Sequence, residues 1–315
     1  MTSELAEIQT KIQDTNVAIA RLERMMVDSP DLPSLLANMR SLQKRYKKLQ
    51  GDFLAAADEL GVDVCSYRLF PDETTPTLTG IVSALGGFQS LFSIVYDARR
   101  NGPKKIARLS PEVVRESSFG FAYSFSGSLG LVLTLPNERL LFQEVDTAID
   151  EAMKTIFTMS KLAEPSEILA FAQNIGVAPI RALYKWADDH VKAGLGADIQ
   201  WRRGEQVRAS LLVQRPELER LKQTIDVTSD TEEVELDLTG ELVGADIKSH
   251  TFHMTSGDME YRGRFTDAIG PEHAVTLPKT YRAKVRKTTK IYYSTEKEDV
   301  FYFLLRLEPV ESADL

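Results

Sequence analysis

Hydrophobic positions in the first sixty residues recur at alternating intervals of three and four. The first series lies on one helical seam, interrupted by the polar Thr15, and its apolar members are Leu5, Ile8, Ile12, Ile19, Leu22 and Met26. A second series follows two prolines, and its members are Leu35, Met39, Leu42, Tyr46, Leu49, Phe53, Ala56 and Leu60. This spacing is typical of helices that pair along a seam, and prolines with polar capping residues between two seams favour a turn. The pattern predicts an antiparallel coiled-coil-like helical hairpin over residues 1–60.

The middle of the chain mixes strand and helix patterns. Strand patterns occur at Val62–Phe70, Phe119–Phe125 and Leu129–Leu135. A broad apolar face over Leu78–Tyr96 predicts a helix buried in a core, and a helical period returns from Glu144 to Gly194. Two short strands and another helix follow. We therefore predict a central mixed α/β domain over residues 61–225.

The last ninety residues have the period of two that is typical of strands. Short alternating segments are separated by glycines and polar turns, as at Gly240, Gly244 and Gly257. This pattern predicts a small β-barrel of five or six strands over residues 226–315. The predicted fold class is α+β, with three domains.

Composition narrows the classes of function. The net charge of −8 argues against generalised binding to nucleic acid or anionic membranes, because the far field repels phosphate. The single cysteine, Cys65, excludes an intramolecular disulfide and a zinc site built from several thiolates. The N-terminus lacks signal-peptide features, and no run approaches about 18 uninterrupted apolar residues. We expect a cytoplasmic protein with no membrane segment and no cofactor.

One local stretch departs from this acidic balance. Lysines and arginines are interspersed with tyrosines in it, and it contains no acidic residue. The cations could contact the phosphates of a nucleic acid, and the tyrosine rings could stack on its nucleobases. We call these residues the basic stretch: Lys279, Arg282, Lys284, Arg286, Lys290, Tyr292 and Tyr293. An alternative is that the acidic segment 226–246, which contains no base, pairs with it across strands and neutralises both.

No catalytic or metal motif is specific enough to name a reaction. His250 and His253 have odd spacing in a predicted strand, which points them to opposite faces and makes them poor joint metal ligands. An enzyme with an unrecognised site, using these histidines and Asp246, is a third possibility. The first prediction is a non-catalytic interaction or assembly protein, forming a homo-oligomer or docking a protein partner through residues 1–60. The alternatives are that the hairpin packs on its own protein, or that the chain binds nucleic acid through the basic stretch.

Overall fold

A computed structural model describes residues 3–28, 32–72, 75–125, 129–137, 146–265, 275–295 and 297–310. Within these ranges the chain is mixed α+β, with eight helices and two sheets, one of which is a closed barrel. The predicted α+β class is therefore confirmed. The chain divides into two compact units, Met1–Val227 and Thr228–Leu315, and the short segment Ser126–Ser128 of the predicted hairpin turn lies outside the described residues.

Two long helices begin the first unit, α1 (Ser3–Asp28) and α2 (Pro33–Glu59), and they pack against each other. The seam positions Leu5, Ile12, Ile19, Met39 and Phe53 are buried. Most other seam residues are partly buried, including Ile8, Leu22, Leu35, Leu42 and Leu49. The last residue of the second seam, Leu60, is 39% exposed. Most of both seams is thus covered within this chain.

An antiparallel five-stranded sheet forms the centre of the first unit. Its strands are β1 (Val62–Pro71), β2 (Gly120–Phe125), β3 (Leu129–Pro136), β4 (Leu195–Arg203) and β5 (Gln206–Val213), in the order β2-β3-β1-β4-β5. On one face Val64 joins a core cluster with Leu5 and Phe53, so the two N-terminal helices pack on this face. Tyr67 lies on the opposite face, because side chains alternate along a strand.

Six further helices complete the first unit: α3 (Leu78–Asn101), α4 (Pro111–Ser117), α5 (Ala148–Met159), α6 (Pro165–Ile175), α7 (Val177–Ala193) and α8 (Arg215–Val227). α3 contacts α4, α5, α6 and α7, and α7 contacts β4. The helix α4 was not predicted, although the Ser110 hydroxyl caps it by accepting from Val113 N at 3.3 Å.

Among the described helices, α3 is the one long and apolar enough to cross a membrane, with a mean hydropathy of 1.6 over its best window. Its buried residues include Phe88, Leu91, Phe92 and Val95, which lie in the protein core. The core of a soluble protein and a membrane span share this composition. The predictions of a cytoplasmic location and of no membrane segment stay predictions.

The second unit is a closed barrel of five strands, β6 (Ser229–Asp246), β7 (Thr251–Ser256), β8 (Met259–Phe265), β9 (Lys279–Tyr292) and β10 (Glu298–Pro309). The long β6 pairs antiparallel with both β7 and β9, and β10 pairs antiparallel with β9. β10 also pairs parallel with β8, which closes the barrel. The interior contains Leu242, Phe252, Met254, Val285 and Leu304.

Candidate functional site

A groove of about 1080 Å³ opens on the outside of the barrel. The alternation of β7 turns Phe252 and Met254 into the barrel core and leaves Thr251 and His253 outside. In the same way, Leu304 points inward from β10 while Phe301 and Phe303 point outward. We define the barrel groove by six of its lining residues: Thr251, His253, Arg262, Arg264, Phe301 and Phe303.

Two phenylalanines give the barrel groove an aromatic surface. Phe301 is 49% exposed and Phe303 is partly buried. Adjoining exposed apolar side chains mark binding surfaces, whereas single exposed ones are common, and Phe301 and Phe303 adjoin on one face of β10. These rings can therefore pack against a flat or apolar ligand.

Two arginines of β8 lie beside these rings. The parallel register places Arg264 opposite Phe303. Arg262 Nη2 lies 2.8 Å from Glu260 Oε2, and His253 Nε2 lies 3.5 Å from the same carboxylate oxygen. Arg264 forms no ion pair with any residue in the described ranges. The groove therefore combines aromatic faces with at least one cation that is free to pair with an anionic ligand.

Two polar atoms in this groove lack hydrogen-bond partners within the described part of the chain. They are His253 Nε2 and Thr288 Oγ1, both shielded from solvent. The 3.5 Å contact of His253 with Glu260 is an ion-pair distance at best and does not satisfy this nitrogen. Since buried polar groups are normally hydrogen-bonded, such atoms are candidate ligand contacts.

The basic stretch lies on β9, next to this groove, and the structure separates its members. The continuous register with β6 puts Arg282, Lys284, Arg286, Lys290 and Tyr292 on the outer face. The other two residues differ. Lys279 lies three residues before Arg282, so it faces the other side of the strand. Tyr293, directly after β9, is buried in the protein interior with 1% of its surface exposed. Tyr293 is too buried to stack on a base, so it does not belong to this surface.

Acidic residues of β6 pair with part of the basic stretch. Lys284 Nζ lies 2.8 Å from Glu235 Oε2, and Arg286 Nε lies 3.7 Å from Glu233 Oε2. The hydrogen bond from Lys284 lowers the pKa of Glu235. These contacts are the cross-strand neutralisation that the sequence offered as an alternative. Binding of nucleic acid through the basic stretch stays a prediction.

The two histidines of the barrel do not form a joint site. His250 was predicted in a strand, but it lies in the turn before β7 with a φ of 55°. Its ring stacks on Phe265 with a centroid distance of 5.3 Å. Among the residues that the structure describes, no three His, Cys, Asp or Glu side chains are grouped so as to hold a metal ion.

The first unit contains a buried charge cluster that no local sequence pattern predicted. Arg203 Nε and Nη2 each lie 3.1 Å from an oxygen of Asp63, and Nη2 lies 2.8 Å from both oxygens of Asp150. Asn137 Nδ2 donates to Asp63 at 2.6 Å. Burial would raise the pKa of Asp150, but the hydrogen bonds from Arg203 and Thr147 outweigh burial and lower it. The cluster joins β1, β4 and α5 through side chains far apart in sequence.

A second buried network lies on the same face of the sheet, further along β1. Trp186 Nε1 donates to the Tyr67 hydroxyl at 3.0 Å, and this hydroxyl lies 2.9 Å from His190 Nε2. His190 Nδ1 lies 3.4 Å from the Leu195 carbonyl, which assigns the neutral tautomer protonated at Nδ1. Burial lowers the pKa of His190 to about 4. These groups satisfy one another, and the network reads as core structure.

Cys65 lies in this core and is fully buried. Burial raises the pKa of its thiol, so the thiol stays protonated at neutral pH. Cys65 is therefore a core residue and not an accessible nucleophile. The Arg99–Arg108 segment is likewise tied into the fold, since Arg100 pairs with Glu112 at 3.1 Å and Lys104 pairs with Asp97 at 3.3 Å.

Comparison of the chain with protein-family models, with curated proteins and with solved structures gave no match. The function is therefore argued from the chain's own residues.

Proposed function

We propose that this chain is a non-catalytic binding protein that holds single-stranded nucleic acid in the barrel groove. The observation that carries this proposal is the placement of Phe301 and Phe303 beside Arg262 and Arg264 on one outer surface. Proteins that bind single strands without sequence preference combine cations that contact phosphate with aromatic rings that stack on bases. The barrel groove has both elements.

The connectivity of the barrel supports the same proposal by analogy. Numbered from its first strand, the barrel has the order 1-2-3-5-4-1 with a parallel pair between the third and fifth strands. This is the connectivity of the oligonucleotide- and oligosaccharide-binding fold, whose second and third strands carry the ligand face. Here those strands are β7 and β8, which supply His253, Arg262 and Arg264 to the groove. A shared fold does not by itself assign function, so the analogy adds weight only through these residues.

A fluorescence anisotropy titration with a labelled thymidine oligonucleotide tests this proposal. The wild-type chain should bind at low salt and lose affinity as salt rises. Phe301→Ala should weaken binding by about 1–3 kcal/mol, the usual loss of one stacked base. Arg264→Gln should weaken binding and reduce the salt slope by roughly 0.7, because one phosphate contact is lost.

The matched control is Lys284→Gln, which removes a base already paired with Glu235 at 2.8 Å. Its affinity should stay close to that of the wild type. No binding by the wild type at low salt would overturn the proposal. An equal loss in Lys284→Gln and Arg264→Gln would instead move the binding surface to the basic stretch on β9.

Assembly through the N-terminal helices is a second candidate function. We propose that residues 1–60 form an antiparallel coiled-coil hairpin that docks a second copy of this chain or a protein partner. The favouring observation is a group of exposed apolar side chains toward the ends of α1 and α2 that meet: Met25, Val27, Leu32 and Leu36. The seam itself offers less, because Leu5, Ile12 and Phe53 already pack on the sheet of the same unit.

Light scattering after size-exclusion chromatography tests the assembly proposal. Removing residues 1–60 would uncover the sheet core, so point substitutions are the better perturbation. Met25→Glu together with Val27→Glu should convert an oligomer to monomers, whereas Ser41→Glu, at an exposed polar position of α2, should not. A wild-type chain that is already monomeric at high concentration would remove self-association through these helices.

A further inference from the structure

A cleft of about 500 Å³ lies in the first unit, between α2 and the sheet face on which α2 packs. We call it the helix–sheet cleft, and its lining includes Lys47, Gln50, Gly51, Leu54, Tyr123 and Arg202. Those from α2 recur at intervals of three and four, so they form one stripe along the helix. The volume falls in the range of sites that hold metabolite-sized ligands.

The cleft lies at the most cationic part of the first unit's helical pair. Residues 33–51 of α2 include no acid and five bases, which are Arg40, Lys44, Arg45, Lys47 and Lys48. None of the five forms an ion pair with a residue in the described ranges. Their charge is therefore uncompensated locally, despite the negative net charge of the chain.

Arg202 presents a second cation from the sheet side of the cleft. Its Nη2 donates to Gln200 Oε1 at 2.8 Å and its Nη1 donates to the Glu205 carbonyl at 3.3 Å. Both acceptors are neutral, so they orient the guanidinium without neutralising it. The Glu205 carboxylate also lines the cleft, but it forms no ion pair with Arg202 or Lys47.

Tyr123 supplies a hydroxyl group to the lining of the cleft. Tyr123 is buried, and burial raises the pKa of its hydroxyl above the ordinary value. Its hydroxyl interacts with Gln50 and lies near that of Tyr46. The Tyr123 hydroxyl therefore stays protonated and can donate to an anion in the cleft.

Gly51 is the residue that local folding rules explain least. It lies in the interior of the 27-residue helix α2, where glycine is the least favourable residue after proline. A Cβ here would meet only Glu205 Oε1 at 3.8 Å, which is ordinary van der Waals contact. Neither packing nor backbone conformation requires glycine at this position. A helix glycine on a cleft wall does, however, let a ligand approach the backbone closely.

We infer that the helix–sheet cleft binds a small organic anion with an apolar body. The anionic group would pair with Arg202 and Lys47, and the Tyr123 hydroxyl would supply a donor. The apolar body would pack on Leu54 and on the ring of Phe125, passing across Gly51. Such a ligand contacts both the unpaired cations and the apolar side chains of Leu54 and Phe125. An inorganic ion would contact only the cations, and a neutral hydrocarbon only the apolar side chains.

The test is a fluorescence titration of the full-length chain with 8-anilinonaphthalene-1-sulfonate, an aromatic anion. We expect saturable binding that benzoate displaces and that the neutral isostere benzamide does not. Arg202→Gln should weaken binding about tenfold, as expected for loss of one charged hydrogen-bonding group. Gly51→Leu should block the cleft, and Gly51→Ala should weaken binding to a smaller extent, because its single methyl group only limits close approach to the backbone.

Two controls keep the outcome clear. Lys48→Gln, on the same helix but outside the lining, should bind the dye as the wild type does. Phe301→Ala should also bind the dye as the wild type does, because Phe301 lines the barrel groove and not the helix–sheet cleft. If Arg202→Gln or Gly51→Leu fails to give a native circular dichroism spectrum, the exposed Lys47→Gln replaces it and should weaken binding several-fold. Absence of binding, or binding that folded Gly51→Leu and Lys47→Gln leave unchanged, would overturn the inference.

Discussion

Replacing Arg203 by methionine should destabilise the first unit by about 3–5 kcal/mol at pH 7, the usual loss when one partner of a buried ion pair is removed. The two carboxylates that it contacts are almost inaccessible, since Asp63 is 0% exposed and Asp150 is 2% exposed. Methionine has a similar length and fills most of the volume, so the loss reports the charges and not a cavity. Two buried negative charges would remain without their cation.

The stability lost in Arg203→Met should depend on pH, and the direction of that dependence follows from the pKa of Asp150. In the wild type the pKa of Asp150 is lowered, so its contribution is present above the unfolded pKa of about 3.9 and is lost as the pH falls below it. Without Arg203, only the hydrogen bonds from Thr147 oppose burial, so the pKa of Asp150 rises from its wild-type value. The native variant then takes up a proton at higher pH than the native wild type does, and this uptake relieves the repulsion between its two unpaired carboxylates. The difference between the two proteins should therefore shrink in acid.

Urea unfolding followed by tryptophan fluorescence measures this directly. The chain has two tryptophans, and both Trp186 and Trp201 are buried in the first unit, so the signal reports that unit alone. The matched control is Arg208→Met, whose partner Asp146 lies at 3.3 Å with both side chains about one-third exposed. That change should cost under about 1 kcal/mol. Equal losses in the two variants, or an Arg203→Met loss that is the same at pH 7 and pH 5, would refute the reasoning.

Two further predictions concern the same unit. Since the pKa of His190 is about 4 when folded and about 6.5 when unfolded, the wild type should lose up to about 3 kcal/mol as the pH falls from 6.5 to 4. His190→Asn should flatten that dependence in the urea assay, and an unchanged slope would contradict it. Gly86→Ala meets no atom within 4 Å and should stabilise α3 by roughly 0.5–1 kcal/mol. Gly87→Ala meets Asp189 Oδ2 at 3.2 Å and Trp186 Cα at 3.5 Å, so it should gain less or lose stability, and calorimetry should separate the two melting temperatures.

Local patterns were enough to predict most elements of the fold. The alternation from Phe119 to Leu135 predicted a pair of strands, and β2 and β3 pair antiparallel as expected. Helical spacing likewise predicted α3, which runs five residues beyond the predicted end at Tyr96 to Asn101. Each of these signals depends on neighbours within a few residues, where period and propensity act. The short α4 escaped because seven residues are too few for a period, although Ser110 and Pro111 are start signals.

The candidate sites were less accessible to such reasoning, because long-range pairing builds them. Asp63 and Arg203 are 140 residues apart in sequence, and each one alone is an ordinary polar residue at a strand end. Arg264 and Phe303 become neighbours only through the parallel contact of β8 with β10. Nothing in either segment specifies that contact, since a parallel pair leaves no turn signature. Gly51 is the one site residue with a local signal, a glycine inside a strong helix pattern.

The same pairing explains why a run of bases in sequence is a poor guide to a binding surface. Residues that follow each other on β9 lie opposite β6, and β6 is acidic, so Lys284 and Arg286 face Glu235 and Glu233 across the sheet. Cations beside such carboxylates gain little by contacting phosphate, because the adjacent negative charges repel the phosphate. Arg264 has no such partner among the described residues, although its sequence neighbours are unremarkable. If the barrel groove binds a single strand, its electrostatic contribution therefore comes from one or two arginines. The logarithm of its affinity should then fall with salt at a slope of only about 1, far shallower than the six bases between Lys279 and Lys290 would give.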